Sequence, residues 1–223
     1  MNLLTKDDLH NIFDNKRVVL FGSAPSCLHN KGPKIDQFDV IVRISNYKIK
    51  GIEDKVGTRT DVFYSFFGSS IRKTKEELIG DGVKYMMCKC PDAECHESAD
   101  KERNLGGDFR YIYKNRKDWW FTPVHIPTKE HYMQQFNLLG RHVPTTGFSA
   151  ILTLSNLHPS ELYITGFDFF SSKLHNINEA WRLKNPDDPV GHRPKKEYRK
   201  LLELVANKKF MRIDNTLKRL HFD

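Results

Sequence analysis

Cysteine is scarce in this 223-residue sequence: four positions (Cys27, Cys88, Cys90, Cys95) carry it. That is too few for a disulfide framework to stabilise a chain of this size, and it suits a reducing compartment. Long apolar runs are missing as well. The longest span about five to eight residues, as in RVVLFG at 17–22, against the ~20 that a bilayer-crossing helix needs. The first ten residues, MNLLTKDDLH, carry acidic groups and have neither an apolar stretch nor a small-residue cleavage site. They predict a chain that is not secreted through a signal peptide and stays cytoplasmic. Internal repeats and low-complexity tracts are absent too. With 39% hydrophobic residues, the chain has apolar mass for one compact core, so a single domain over residues 1–223 is expected.

Charge is present and unevenly placed. The 36 Lys and Arg against 28 Asp and Glu give a formal charge of +8. Ten of the basic groups (Arg193, Lys195, Lys196, Arg199, Lys200, Lys208, Lys209, Arg212, Lys218, Arg219) lie in residues 193–219 beside three acids, Glu197, Glu203 and Asp214. Such a block suits an acidic ligand, an anionic membrane face or nucleic acid. The same stretch also reads as an ordinary amphipathic helix, with Tyr198, Leu201, Leu202 and Val205 as its apolar stripe.

Short runs rich in Val, Ile, Phe and Tyr at 18–22, 39–44, 61–67, 83–88, 109–113 and 161–167 predict buried strands. Between them, 73–82 ends in glycines as helices often do, and 147–157 has apolar residues at helical spacing. Strands alternating with helices predict an α/β, Rossmann-like domain: a mainly parallel sheet with helices on both faces. Apart from 109–113, the region from Cys88 to Trp120 is polar and irregular and reads as an insertion or an acceptor-facing loop.

A parallel sheet of this kind binds ligands beyond the carboxyl ends of its strands, where three segments would meet. Gly22-Ser23-Ala24-Pro25-Ser26 follows the first strand, and its small residues let backbone N–H groups approach a phosphate. Pro144-Thr145-Thr146-Gly147 opens the helix at 147–157. Either threonine can cap that helix, and its free amides and dipole attract an anion. The segment 166–197 carries His175 and His192. An imidazole can take a proton from a hydroxyl, and a charged one can steady a leaving phosphate.

Together these segments resemble the sialyltransferases of glycosyltransferase family 29. The family's long motif is matched by VVLFGSAPSCL (18–28) and IDQFDVIVRISNYKIKGIEDKVGTRTDVFYS (35–65), most specifically by the block Gly51 to Thr60. Its short motif is matched by Pro144-Thr145-Thr146-Gly147 and by the strand ending Tyr163-Ile164-Thr165-Gly166-Phe167. Its last motif, His-x4-Glu, is matched by His192 and Glu197, and an upstream histidine motif by His175-Asn176. There are departures. Ser23 and Ala24 stand where the family's turn has Asn and Ser, and Ala24-Pro25-Ser26 is closer to the corresponding turn of the bacterial family 42 sialyltransferases. The next donor-binding asparagine of the family falls on Ser45 or, one place on, Asn46. The family's disulfide between the long and short motifs cannot form, because Leu157-His158-Pro159 has no cysteine.

The resemblance implies an inverting, metal-independent transferase with no cofactor beyond its co-substrate. It would move a 2-keto sugar acid, sialic acid or Kdo, from a CMP-activated donor to an oligosaccharide or glycolipid acceptor. It implies His192 as general base, His175 and Glu197 in support, and a donor site of Gly22, Ser23, Ala24, Ser45, Asn46, Tyr64, Thr145, Thr146, Gly147, Gly166 and Phe167. Trp119, Trp120 and Tyr132 are expected on the acceptor side. The basic C-terminal region would hold the enzyme peripherally at an anionic membrane. One competing class is a polyanion binder using Trp119, Trp120 and Phe121 beside Arg116 and Lys117, though no nucleic-acid motif accompanies them. Metal binding by Cys88, Cys90, Cys95 and His96 has suitable donors but not a usual zinc spacing, so no metal is expected.

Overall fold

A computed structural model describes residues 2–68, 71–91, 119, 121–171 and 192–220. Its centre is an all-parallel sheet. In chain order its strands are β1 (Arg17–Phe21), β2 (Val40–Ile44), β3 (Val62–Ser65), β4 (Tyr85–Cys88), β5 (Val124–His125), β6 (Glu161–Thr165) and β7 (Met211–Ile213). They lie side by side as β5-β4-β3-β2-β1-β6-β7. The chain therefore works outward from β1 to one edge, then returns to β1's other side. In register, Val19 sits between Ile41 of β2 and Tyr163 of β6. The break in strand order between β1 and β6 is the switch point at which such sheets open a ligand crevice.

Side chains along each strand alternate between two cores. One face presents Val18, Leu20, Val42, Val62 and Tyr64. It is covered by α1 (Lys6–Phe13), α6 (Thr146–Ser155) and α7 (Pro194–Asn207) through residues such as Phe13, Phe148, Ile151 and Leu201. The other face presents Val19, Phe21, Ile41, Phe63 and Met86. There α2 (Gly32–Ile35), α3 (Glu53–Val56) and α4 (Lys75–Gly80) contribute Ile35, Val56 and Leu78. Each fully buried aliphatic or aromatic side chain contributes roughly 1.5–3 kcal/mol, so the two cores outweigh any surface ion pair. Helices α5 (Lys129–Leu138) and α8 (Asn215–Lys218) complete the elements.

The expected strands at 18–22, 39–44, 61–67, 83–88 and 161–167 are found, their ends displaced by up to two residues. The run at 109–113 lies outside the described residues. Strands β5 and β7 were not anticipated, because two or three residues leave no alternation to detect. Helix α4 begins at a capping box in which Thr74 and Glu77 satisfy each other's backbone amides. On α7 the apolar stripe is real: Tyr198 and Leu201 are buried, while Leu202 faces out.

The Gly51–Thr60 block closes on a buried guanidinium. Arg43 points from the middle of β2 into the second core, stacked 4.7 Å above the Phe21 ring. It donates to the carbonyls of Val56 and Arg59. Burial lowers its pKa to about 10, which leaves it charged at neutral pH. Asp36 receives the Thr58 amide at 3.0 Å, and Gly57 at φ 82 permits that approach.

Candidate active site

At the carboxyl ends of β1 and β6 two glycines touch. A Cβ on Gly22 would lie 2.1 Å from the Gly166 carbonyl oxygen, and Gly166 itself has φ +74. No side chain fits at the first position, and an L-residue is strained at the second. The Gly22 amide donates to the Thr165 carbonyl, and the Ala24 amide to the Gly166 carbonyl, both at 2.8 Å. This corrects one expectation. The Gly22 amide is engaged by the sheet and is not a phosphate donor, and Ala24 is buried in the same way. Of this turn, Ser23 is the exposed member. Asp214 ties the junction to α8: its carboxylate receives the Thr165 hydroxyl at 2.8 Å, the Gly166 amide at 3.2 Å and, as helix cap, the Leu217 amide at 2.6 Å.

Helix α6 is aimed at this junction. A Cβ on Gly147 would meet the Phe167 ring at 2.5 Å and Ile44 at 3.4 Å. Only glycine lets the helix start sit this close to the ends of β2 and β6. Phe167 is a buried wedge between Gly22 and Gly147, so it positions the two glycine segments. Ser45 and Asn46 leave β2 beside them. Ser45 holds φ 51, and the Asn46 side-chain oxygen receives the Arg72 amide at 2.7 Å. Of the two threonines that can cap α6, Thr145 does so: its hydroxyl oxygen receives the Phe148 amide at 3.1 Å. The amides of Thr146 and Gly147, in the first turn of the helix, then point outward with the positive end of its dipole.

Glu197, in the first turn of α7, is fully buried against that cap. Its two carboxylate oxygens receive the Thr145 amide and the Thr145 hydroxyl, each at 2.7 Å. Burial pushes its pKa up to about 7, against the pull of Thr145 and of the Lys89 ammonium. Five residues earlier, His192 Nδ1 donates to the Val143 carbonyl at 2.8 Å. A carbonyl can only accept, so Nδ1 carries the proton and, in the neutral ring, Nε2 holds the basic lone pair. Thus the segment 143–147 receives both His192 and Glu197, and the start of α6 and the imidazole are fixed to one piece of backbone.

Other sequence-predicted residues are placed elsewhere. Tyr64 lies under α6, its hydroxyl 3.0 Å from Ser149 and 3.4 Å from Thr153. It belongs to a buried polar network with Gln135 and His131, not to the strand-end crevice. Trp119 is 1% exposed and packs edge-on against Phe63 and Phe67. Tyr132 is 2% exposed on α5. Both are core residues, which removes them as acceptor contacts and Trp119 as a stacking platform for bases. Trp120 and His175 lie outside the described residues. Cys27, Cys88 and Cys90 are buried free thiols, and among the described residues no group of three or more His, Cys, Asp or Glu could hold a metal ion. One residue the sequence reading passed over is Lys89, buried just past β4. Its placement beside two cysteines drew attention to the thiols instead.

Comparison with known proteins agrees with this geometry. The family model for glycosyltransferase family 29 (sialyltransferase) matches residues 27–209. A type 2 lactosamine alpha-2,3-sialyltransferase of Pan troglodytes is 40% identical over 207 residues, covering 81% of this chain and 60% of that protein. The chain thus spans about three fifths of the length of that relative. Among solved structures, the sialyltransferase CstII of Campylobacter jejuni in complex with the substrate analogue CMP-3FNeuAc superposes with a TM-score of 0.53 at 16% identity, over 88% of this chain and 79% of that one. A mammalian sialyltransferase in complex with Gal-beta-1-3GalNAc-ortho-nitrophenol superposes at 0.55 and 18% identity, over 94% and 74%. At such identities these likenesses speak to the fold. The family match, the 40% identical relative and the glycine-lined switch point agree, and the chain belongs to glycosyltransferase family 29.

Proposed function

We propose that this protein transfers sialic acid from CMP-sialic acid to a glycan hydroxyl, with inversion and without a metal. The observation that carries the reading is the pairing of His192, held in the Nδ1–H tautomer by Val143, with the start of α6 three residues further along the same segment. His192 Nε2 takes the proton of the acceptor hydroxyl as its oxygen attacks the anomeric carbon. The bond from that carbon to the phosphate oxygen breaks, and CMP departs with the electron pair. The amides of Thr146 and Gly147, at the positive end of the α6 dipole, stabilise the phosphate charge that grows. Ser23, Ser45 and Asn46 border the donor's cytidine and sugar. His175 is assigned to phosphate stabilisation through the family resemblance alone. CstII, of similar fold, is recorded with a CMP-sugar analogue, which supports a donor at these strand ends; sialic acid is favoured over Kdo by the family's description.

The test is calorimetric titration with CMP, UMP, AMP and GMP, followed by transfer from CMP-sialic acid to a type 2 lactosamine acceptor. Binding of CMP alone, with product formed in chelator, is expected. Equal binding of all four nucleotides, or of none, sinks the reading.

An anionic membrane surface is the proposed location of the acceptor. Lys195, Arg199, Lys209, Arg212, Lys218 and Arg219 are all exposed along α7, β7 and α8. Each basic group near an anionic surface adds about 1 kcal/mol of attraction. Among the described residues no helix is long and apolar enough to cross the bilayer; the contact proposed for this surface is electrostatic. Sedimentation with phosphatidylserine vesicles but not with phosphatidylcholine vesicles at 0.15 M salt is expected; equal recovery with both would exclude this surface as a membrane contact.

A further inference from the structure

Lys89 is the first residue past the carboxyl end of β4, its backbone fixed by a 2.8 Å hydrogen bond from its amide to the Ser65 carbonyl. The residue is 6% exposed. Among the described residues no hydrogen bond or ion pair engages the ammonium. Its neighbours of possible negative charge are Cys88, Cys90 and Glu197. The first two are buried thiols, and burial pushes the Cys88 thiol well up, so it is uncharged at neutral pH. Glu197 is the remaining acid, and both its oxygens already accept from Thr145. A buried ammonium without a full counter-ion is expensive, because desolvation is not repaid by an ion pair. Burial accordingly lowers its pKa. Proteins retain such a cation where a ligand supplies the missing charge.

We infer that Lys89 is an anion-binding residue of the donor site, pairing with a negatively charged group of the CMP-activated sugar acid. The placement fits. Lys89 lies at the same end of the sheet as Ser45 and Gly22, and it shares Glu197 with Thr145, the cap of the helix whose amides face the donor. Two groups of the donor have the required chemistry: the phosphate and the carboxylate on the anomeric carbon. The inference rests on the CMP-donor reading above and deepens it by naming what the buried cation recognises.

The experiment compares wild type with Lys89→Met, which keeps an unbranched chain of similar length and removes the charge. Titration uses CMP, which carries the phosphate alone, and CMP-3FNeuAc, which carries phosphate and carboxylate, and thermal unfolding is recorded without ligand. If Lys89 meets the carboxylate, Lys89→Met weakens CMP-3FNeuAc at least tenfold and leaves CMP unchanged. If it meets the phosphate, both weaken by the same factor. In either case the unfolding midpoint of the ligand-free variant rises, by about 2 °C or more, because an unpaired charge has left the interior. Unchanged affinity for both ligands overturns the inference. So does a midpoint several degrees lower, which would make Lys89 a structural partner of Glu197. Failure of the wild type itself to bind CMP is a different result: it removes the donor reading, and this inference with it.

Discussion

Replacing His192 with alanine is expected to lower the turnover of sialic acid transfer by about 100- to 10,000-fold, the range typical for loss of a positioned general base. CMP affinity should stay close to that of the wild type, since the imidazole is assigned to the acceptor's proton and not to the nucleotide. The reason lies in the 2.8 Å hydrogen bond from Nδ1 to the Val143 carbonyl. It leaves Nε2 as the basic nitrogen and holds the ring beside the segment that starts α6. Steady-state kinetics for both substrates, with CMP titration as a control, separate the possibilities. A fall in kcat at constant CMP affinity is the expected pattern. Activity within a few fold of wild type would strip His192 of its role, and a parallel loss of CMP binding would mean that the ring mainly holds residues 143–147 in place.

The second large effect concerns stability. Glu197→Ala removes both acceptors of Thr145 and leaves its half-buried amide and its hydroxyl hydrogen without acceptors, although the hydroxyl oxygen still caps Phe148. Each orphaned group costs about 1–3 kcal/mol, and with the cavity left behind the total should reach about 3–5 kcal/mol, enough to loosen the start of α6. Glu197→Gln retains an acceptor for the Thr145 amide and should cost much less. The two variants differ in a further way. The Glu197 carboxyl has a folded pKa of about 7 against an ordinary 4.5, so between those values the folded state binds the proton more tightly than the unfolded chain. Stability contributed by this group is full at low pH and declines as pH rises from 4.5 toward 7. The integrated change is about 3 kcal/mol. Urea unfolding between pH 4.5 and 8 should show wild type losing ground to Glu197→Gln as pH increases. A constant difference between the two across that range would show that the carboxyl is ionised throughout.

Much of this architecture was legible in the sequence because its physical determinants are local. Five central strands announce themselves as runs of β-branched and aromatic residues buried on both faces. Helix α6 is so apolar that nine of its ten residues are buried. The strands that escaped notice, β5 and β7, are too short to carry a pattern and exist because β4 and β6 offer them a paired edge. At the site the same divide holds. Gly22, Gly147 and Gly166 stood out as small residues at strand and helix ends, and the contacts each would suffer with a Cβ explain why. Whether an amide is free to bind a ligand is not a local property. The Gly22 amide is used by β6, a strand far away in sequence, and nothing in the turn itself reveals that. The most family-specific stretch, Gly51 to Thr60, serves to seat Arg43, whose guanidinium donates to the Val56 and Arg59 carbonyls. Tyr64, Trp119 and Tyr132 mislead for a related reason: aromatic side chains with a polar atom suit a sugar and a protein core alike.

The strand order also fixes when the crevice can come into being. Arg17 in β1 and its neighbour Glu161 in β6 are 144 positions apart. At a synthesis rate of about 5–20 residues per second, β6 leaves the ribosome roughly 7–30 seconds after β1. Until then the flank of β1 that will hold Gly166 presents unpaired N–H and C=O groups, the kind of open edge on which strands from other chains add. Pairings across such separations are also the slow ones in folding. The Gly22–Gly166 contact, which shapes the crevice, is therefore among the last to form on a growing chain. A nucleotide supplied during refolding should find no complete site until β6 has docked.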